Sequence, residues 1–258
     1  FGWEALKNYK MIFLGEGMIG AIFWRILGWT IVWTIGATTL AIALGFILAI
    51  VLNNDRVKGK VLFRSIYLLP WAVPAFISIL FFSILFADGG TVVNSLRNVF
   101  GPNFSIKNDT FTIRLTLICI QAWLGSAYIF LLSTGVLQSI NAELYEAADI
   151  DGATSFKKLT KITVPLVLFQ TAPLLVGQYT FNFNNYSIIA LFNNGGPFDP
   201  TKYGNLAGSS DLLISYIFKL TMNNQYQAIG ATITVIISIA LMIIAYIGYR
   251  NTDAFKRG

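Results

Sequence analysis

Five long apolar runs, separated by short polar breaks, constrain this chain more than any other feature. Each is long enough to cross a bilayer core, which takes about 20 mostly apolar residues of helix. They occupy residues 22–52, 63–86, 113–137, 165–192 and 228–249. The first is overlong, so its ends are expected in the interface or the helix is expected to tilt. Only 12% of the residues are charged, against about 25% in soluble domains, which places the chain among membrane proteins before any motif is read. The expected fold class is therefore all-α, with about five transmembrane helices.

Several function classes drop out. The net charge of +6 is no case for nucleic acid, because basic residues in a membrane protein first report topology. With no His and a single Cys, Cys119, an internal disulfide is impossible and a zinc or haem site is not expected. Cys119 lies in an apolar run and reads as a small packing residue. The start, Phe1-Gly2-Trp3-Glu4, lacks the basic n-region and short h-region of a cleavable signal. No Walker sequence occurs, so no ATP hydrolysis by this chain is expected. No paired acids, Ser/His pair or metal cluster falls inside the runs, which argues against an enzyme.

Charge sorts the loops. Arg56, Lys58, Lys60 and Arg64 follow the first run, Lys157, Lys158 and Lys161 follow the third, and Arg250, Lys256 and Arg257 follow the fifth. All fall on one side if there are five spans, which makes that side cytoplasmic by the positive-inside rule. The opposite loops also carry basic residues, Lys7, Lys10, Arg25 and Arg97 among them, so the vote is narrow. Five spans with a cytoplasmic C-terminus put residues 1–21 outside. The chain also does not begin with Met, which leads us to expect upstream spans before Phe1.

The polar stretch between the third and fourth runs has its own pattern. Glu146-Ala147-Ala148 is followed after three residues by Gly152, and after nine more by Ile162-Thr163-Val164-Pro165. Residues 139–152 read as a short amphipathic helix, with Asn141 as N-cap, Glu143 and Glu146 in the first turns, and Gly152 as its left-handed stop. Thr154 or Ser155 is placed to cap a second short helix over residues 156–162, and Pro165 to open the fourth span. Leu144, Tyr145 and Ile150 would suit a partner's groove, and Ala147 and Ala148 would let its backbone come close. A connector lying on the membrane surface has the same composition.

Polar residues also recur within the runs, where they are costly unless they face protein or water. Gln178, Asn182 and Asn185 stand at i, i+4 and i+7 in the fourth run, and Gln121, Gly125 and Tyr128 share that spacing in the third. Each trio falls on one helical face. Amides and aromatics without ionised groups suit a neutral polyhydroxylated ligand, since amides both donate to and accept from hydroxyls. The same amides also serve to hold helices together, at about 0.6 kcal/mol each. Pro70, Pro74 and Pro173 favour kinks. An ion-coupled transporter would show an acid or His at this depth and internal repeats, and neither is seen.

The spacing E-A-A-x3-G-x9-I-x-V-P resembles the coupling loop of the permease subunits of binding-protein-dependent ABC importers, which ends I-x-L-P. Gln121–Tyr128, Phe181–Asn185, Leu69–Ser78 and Asn194-Gly195-Gly196-Pro197 are similar to stretches of the larger permease subunits of maltose and maltodextrin importers, and the resemblance runs over nearly the whole chain. It implies a type I importer permease fold over residues 22–249, a cytoplasmic coupling loop at 138–164 and a cytoplasmic tail at 250–258. It implies a sugar site lined by Gln121, Leu124, Gly125, Tyr128, Gln178, Phe181, Asn182 and Asn185, with Gln121 and Gln178 longer than the family's usual residues. It implies ATPase coupling through Leu144, Tyr145, Glu146, Ala147, Ala148, Asp151 and Gly152. The implied partners are a second homologous permease subunit, a dimer of cytoplasmic ATPase subunits that use ATP and Mg, an extracellular solute-binding protein, and an oligosaccharide. The chain itself would bind no cofactor and would sit in a bacterial cytoplasmic membrane as a multi-pass protein. A raffinose-type sugar fits the same residues. A phosphorylated substrate would want Arg or Lys near the site, and the two faces hold none.

Overall fold

A computed structural model describes residues 6–54 and 56–250. The expectations placed on residues 1–5 and on the tail, with Lys256 and Arg257, lie outside these. The described residues are mainly helical and contain no strand. In chain order the helices are α1 (Lys7–Leu14), α2 (Gly17–Asn53), α3 (Lys60–Ala72), α4 (Ala75–Leu85), α5 (Thr91–Phe100), α6 (Thr110–Ser139), α7 (Ala142–Ile150) and α8 (Ser155–Lys158). A π-helical turn, Leu159–Thr163, joins α8 to α9 (Val164–Phe183). Then come α10 (Tyr186–Asn193), α11 (Pro200–Tyr203), α12 (Leu213–Phe218), a second π turn at Lys219–Asn223, and α13 (Gln227–Arg250).

Helix α2 is the axis of the molecule. Its buried residues, among them Ile22, Ile26, Trp29, Trp33, Ala37, Ala41, Gly45 and Ala49, recur every three or four positions and form one stripe. Three apolar clusters follow one another along that stripe: Ile22 and Ile26 with Tyr216 and Ile233, Trp29 and Trp33 with Ile113, Leu117 and Phe192, and Ala49 and Leu52 with Phe130 and Val167. The opposite face shows Ile31, Val32, Ile35 and Ile47 to the outside, as suits lipid or a membrane partner and not water.

The closest neighbour of α2 is α6. A Cβ on Gly45 would stand 2.5 Å from the Ser126 carbonyl oxygen and 2.9 Å from the Phe130 nitrogen, so the two backbones touch there. Small residues permit such approach, which lets dispersion contacts drive helix pairing in lipid.

Among the described residues, four helical stretches are long and apolar enough to cross a membrane: Gly17–Asn53, Thr110–Ser139, Ser155–Phe183 and Gln227–Gly248. The second apolar run is not one straight helix. It divides into α3 and α4, which meet at 91°. Pro74 is the cause: it drives Val73 into extended backbone (φ −85°, ψ 133°) and lacks the N–H that would continue the ladder. Pro70 and Pro173 lie inside α3 and α9 without ending them.

The fourth run differs from expectation at both ends. Pro165 stands in the first turn of α9, as expected, but the span begins before it, because helix is continuous from Ser155 to Phe183. In the π turn just before Pro165, Val164 N–H bonds to the Leu159 carbonyl five residues back, and a wider turn of this kind absorbs a missing donor. The helix then stops at Phe183, not at residue 192. Asn185 leaves helical geometry and accepts a bond from Ile188 N to cap α10.

The long connection after residue 193 folds back on the bundle. Trp29 Nε1 donates to the Ser210 carbonyl at 3.3 Å, and Leu213 N donates to Thr30 Oγ1 at 3.0 Å. Cys119, expected as a packing residue, is exposed on the outer face of α6.

Candidate functional site

Two helix breaks and one continuous helix meet around a cleft of about 380 Å³, within the usual range of about 300–1,000 Å³ for ligand sites. The α3–α4 bend supplies Trp71, Val73 and Pro74; α6 supplies Gln121, Leu124, Gly125 and Tyr128; the α9–α10 break supplies Gln178, Phe181, Asn185 and Ser187. Irregular backbone at membrane depth is tolerated only where it is buried in protein or lines a cavity, and both helix breaks line this one. The lining holds no Asp, Glu, Lys or Arg.

The sequence places eight residues in such a site, and seven of them line the cleft: Gln121, Leu124, Gly125, Tyr128, Gln178, Phe181 and Asn185. Gly125 faces Ala41 of α2, where an added Cβ would sit at 3.3 Å. Phe181 is largely exposed to the cleft side, at 59%.

Asn182 is the exception. It is 2% exposed and turns into the bundle, away from the cleft. Its Oδ1 accepts from Gln121 Nε2 at 2.8 Å, and its Nδ2 donates to Thr38 Oγ1 at 2.9 Å. Its carbonyl accepts from Trp33 Nε1 at 2.9 Å. The reason is angular: one helical face is wide, and with the helix ending at Phe183 the residue beside Gln178 and Phe181 rotates toward α2 and α6.

Sequence reading missed Thr38. A signal was present: Thr30, Thr34 and Thr38 recur every four residues in an apolar run and all three are buried, and polar groups at this depth point to partners or water. It also missed Trp71 and Ser187, because the bend that turns them inward is a tertiary feature.

A second constellation sits at the other end of the bundle from the α1–α2 junction. The end of α2, the end of α6 and the segment 142–163 converge on a cleft of about 240 Å³ lined by Asn53, Leu137, Tyr145, Lys158 and Thr163. Asn141 caps α7, accepting from Glu143 N at 3.0 Å. Gly152 has φ +71°, and Thr154 accepts from Lys157 N at 3.3 Å. Tyr145 does not project outward: its hydroxyl bonds to Thr163 Oγ1 at 2.9 Å. Ala148 also faces inward and is buried. Leu144, Glu146, Ala147, Asp151 and Gly152 are exposed, and with Ile150 at 88% and Phe156 at 74% they form an apolar and acidic surface that no other described residue covers.

The geometry defines a class: a multi-span helical membrane protein with an uncharged polar cleft at the breaks of two helices and an uncovered short helix at one end. The chain belongs to the family described as binding-protein-dependent transport system inner membrane component, which matches residues 41–257. It is 47% identical over 98% of its length to the maltodextrin transport system permease protein MdxF of Bacillus subtilis, and 44% identical over 98% to the galactooligosaccharides transport system permease protein GanP of the same organism. It is 35% identical over 97% of its length to the maltose/maltodextrin transport system permease protein MalF of Escherichia coli. The chain spans 59%, 60% and 49% of these three relatives. In fold it is similar to a chain of a bacterial alginate ABC transporter in complex with an alginate pentasaccharide-bound periplasmic protein, with a TM-score of 0.79, 20% identity, and coverage of 98% of this chain and 85% of that one.

Proposed function

We propose that this chain is the permease subunit of an ATP-driven importer and that the cleft at Gln121–Tyr128 and Gln178–Asn185 is its oligosaccharide path. The observation that carries the reading is the lining: amides, a phenol and a serine hydroxyl beside the rings of Trp71 and Phe181, with no ionised group. Amides pair with sugar hydroxyls in either sense, and aromatic rings cover the apolar faces of a pyranose. Gln121, Leu124, Gly125, Tyr128, Gln178, Phe181 and Asn185 touch the sugar; Asn182 holds Gln121 in place from behind. Maltodextrin is the proposed substrate, in line with the similarity to MdxF, and a galactooligosaccharide is the competing one, since the identity to GanP is nearly as high.

The same proposal sets the topology and the partners. The end of the bundle holding Arg56, Lys58, Lys157, Lys158 and Lys161 is cytoplasmic, and the loop 138–164 is the site where a dimer of ATPase subunits docks. ATP and Mg belong to those subunits. A second, homologous permease subunit covers part of the apolar exterior, and an extracellular binding protein delivers sugar at the end formed by residues 193–226. The test is ATP hydrolysis by the full-length protein assembled with the second permease subunit, the ATPase dimer and the binding protein, with maltodextrin or galactooligosaccharide added. Sugar-stimulated ATP hydrolysis with maltodextrin alone supports the reading; no stimulation by either sugar overturns it.

A further inference from the structure

We infer that a groove between the N-terminal halves of α2 and α6 binds one anionic phospholipid. The groove holds about 550 Å³; α2 contributes Trp24, Arg25, Gly28 and Val32, and α6 contributes Arg114 and Ile118. Its polar end is built from two guanidinium groups fixed from behind. Arg114 donates from Nε and Nη2 to the Ser209 carbonyl at 2.9 and 2.5 Å, and its Cζ lies 4.5 Å from the centre of the Trp29 ring. Arg25 donates from Nη1 to the Lys202 carbonyl at 2.7 Å. Among the described residues neither arginine is paired with a carboxylate. The nearby Asp199 is taken by Lys202, at 3.2 Å. Arg114 also hydrogen-bonds the Tyr203 side chain. A guanidinium carries five N–H donors, so Arg25, with one bond, keeps most of its fork free, and Arg114 keeps its charge and a remaining donor beside it. Two fixed guanidinium groups without an anion suit a phosphate.

Depth and shape select a lipid. A hydrocarbon core about 30 Å thick takes about 20 residues at 1.5 Å each. Centred on α2 and α6, that length begins close to Arg25 and Arg114, so both stand at the interface, with the exposed Trp24 in the belt where indoles settle. A Cβ on Gly28 would meet nothing within 4 Å, so the groove stays open below the arginines, and Val32 and Ile118 continue it as an apolar floor. A phosphate at the arginines and an acyl chain along that floor fill both ends. Free phosphate leaves the floor empty, and an apolar protein segment leaves the arginines without an anion. The leaflet is the one on the side of residues 193–226.

The assembled full-length transporter, carried in nanodiscs of equal phosphatidylglycerol and phosphatidylcholine, is released and its retained lipids are counted by native mass spectrometry. The wild type is expected to retain phosphatidylglycerol over phosphatidylcholine. Arg25→Gln lowers that retention about fivefold, the weight of one basic residue near a membrane surface. Gly28→Leu, which fills the groove and leaves both charges, abolishes it. Equal retention of the two lipids, or retention unchanged in both variants, overturns the proposal. So does displacement of the lipid by excess inorganic phosphate, or a Gly28→Cys thiol, in a Cys119→Ser background, that cross-links to another segment of the transporter.

Discussion

Gln121 of α6 donates its Nε2 proton to Asn182 Oδ1 of α9 across 2.8 Å, so two amides that spacing alone aligns as ligands are bonded to each other. The chain of bonds continues from Asn182 Nδ2 to Thr38 Oγ1 of α2. Three helices are thereby tied at membrane depth. The bond also orients Gln121, which lines the cleft. Asn182 supports the site without lining it.

Asn182→Leu should therefore act on stability before it acts on sugar recognition. It strands Gln121 Nε2 and Thr38 Oγ1 in a buried place, at a cost of about 1–3 kcal/mol. Thermal unfolding of the assembled transporter is the measurement. A variant that melts like the wild type yet takes up no sugar would return Asn182 to the cleft.

Gln178→Leu and Tyr128→Phe should behave the opposite way. Both side chains line the cleft, and neither makes a bond that holds helices together beyond it. Each removes one hydrogen bond to substrate, worth about 0.5–1.5 kcal/mol, so the KM of uptake should rise about two- to tenfold with an unchanged melting curve. An unchanged KM in both would return these residues to helix packing.

Ile150→Asp should uncouple ATP hydrolysis from sugar without harming the fold. Ile150 touches little of this chain, being 88% exposed, and exposed substitutions usually stay within about 0.5 kcal/mol. The loss expected is in sugar-stimulated ATPase activity, through a partner groove that accepts an apolar side chain. Normal stimulation would place the ATPase contact elsewhere.

Tyr145→Phe tests transmission within the chain. Its hydroxyl bonds to Thr163, in the π turn that leads without a break into α9, the helix bearing Gln178 and Phe181. Removing the oxygen should leave ATP hydrolysis largely intact and lower the sugar moved per ATP. Equal transport per ATP would mean that backbone continuity alone carries the motion.

Lys219→Met should be among the most damaging single changes. Asp211 is fully buried and bonds to Lys219 Nζ at 2.6 Å, to Gly208 N at 2.7 Å and to Ser215 Oγ at 2.8 Å. Stranding a buried charge costs about 3–5 kcal/mol. Adding Asp211→Asn to Lys219→Met should recover much of the loss in a thermal melt, since the charge to be desolvated is then gone.

The sequence by itself determined that the chain is a helical membrane protein, where α2, α6 and α13 run, and how α7 begins and ends. Those features rest on local physics: apolar runs of spanning length, an Asn that caps, and a Gly that alone adopts φ +71° without strain. The spacing of Gln121, Gly125 and Tyr128 also picked out residues that line one cleft. Only the tertiary structure decided that the second span breaks at Pro74, that Asn185 caps a new helix, that Pro165 sits inside a continuous one, and that Tyr145 and Asn182 turn inward. Proline permits a kink, a straight helix or a helix start, and an amide at membrane depth bonds equally well to a sugar or to another helix. Which outcome is realised depends on the neighbour across the gap: α10 packed against α4 at one break, and Thr38 and Gln121 waiting for Asn182 at the other.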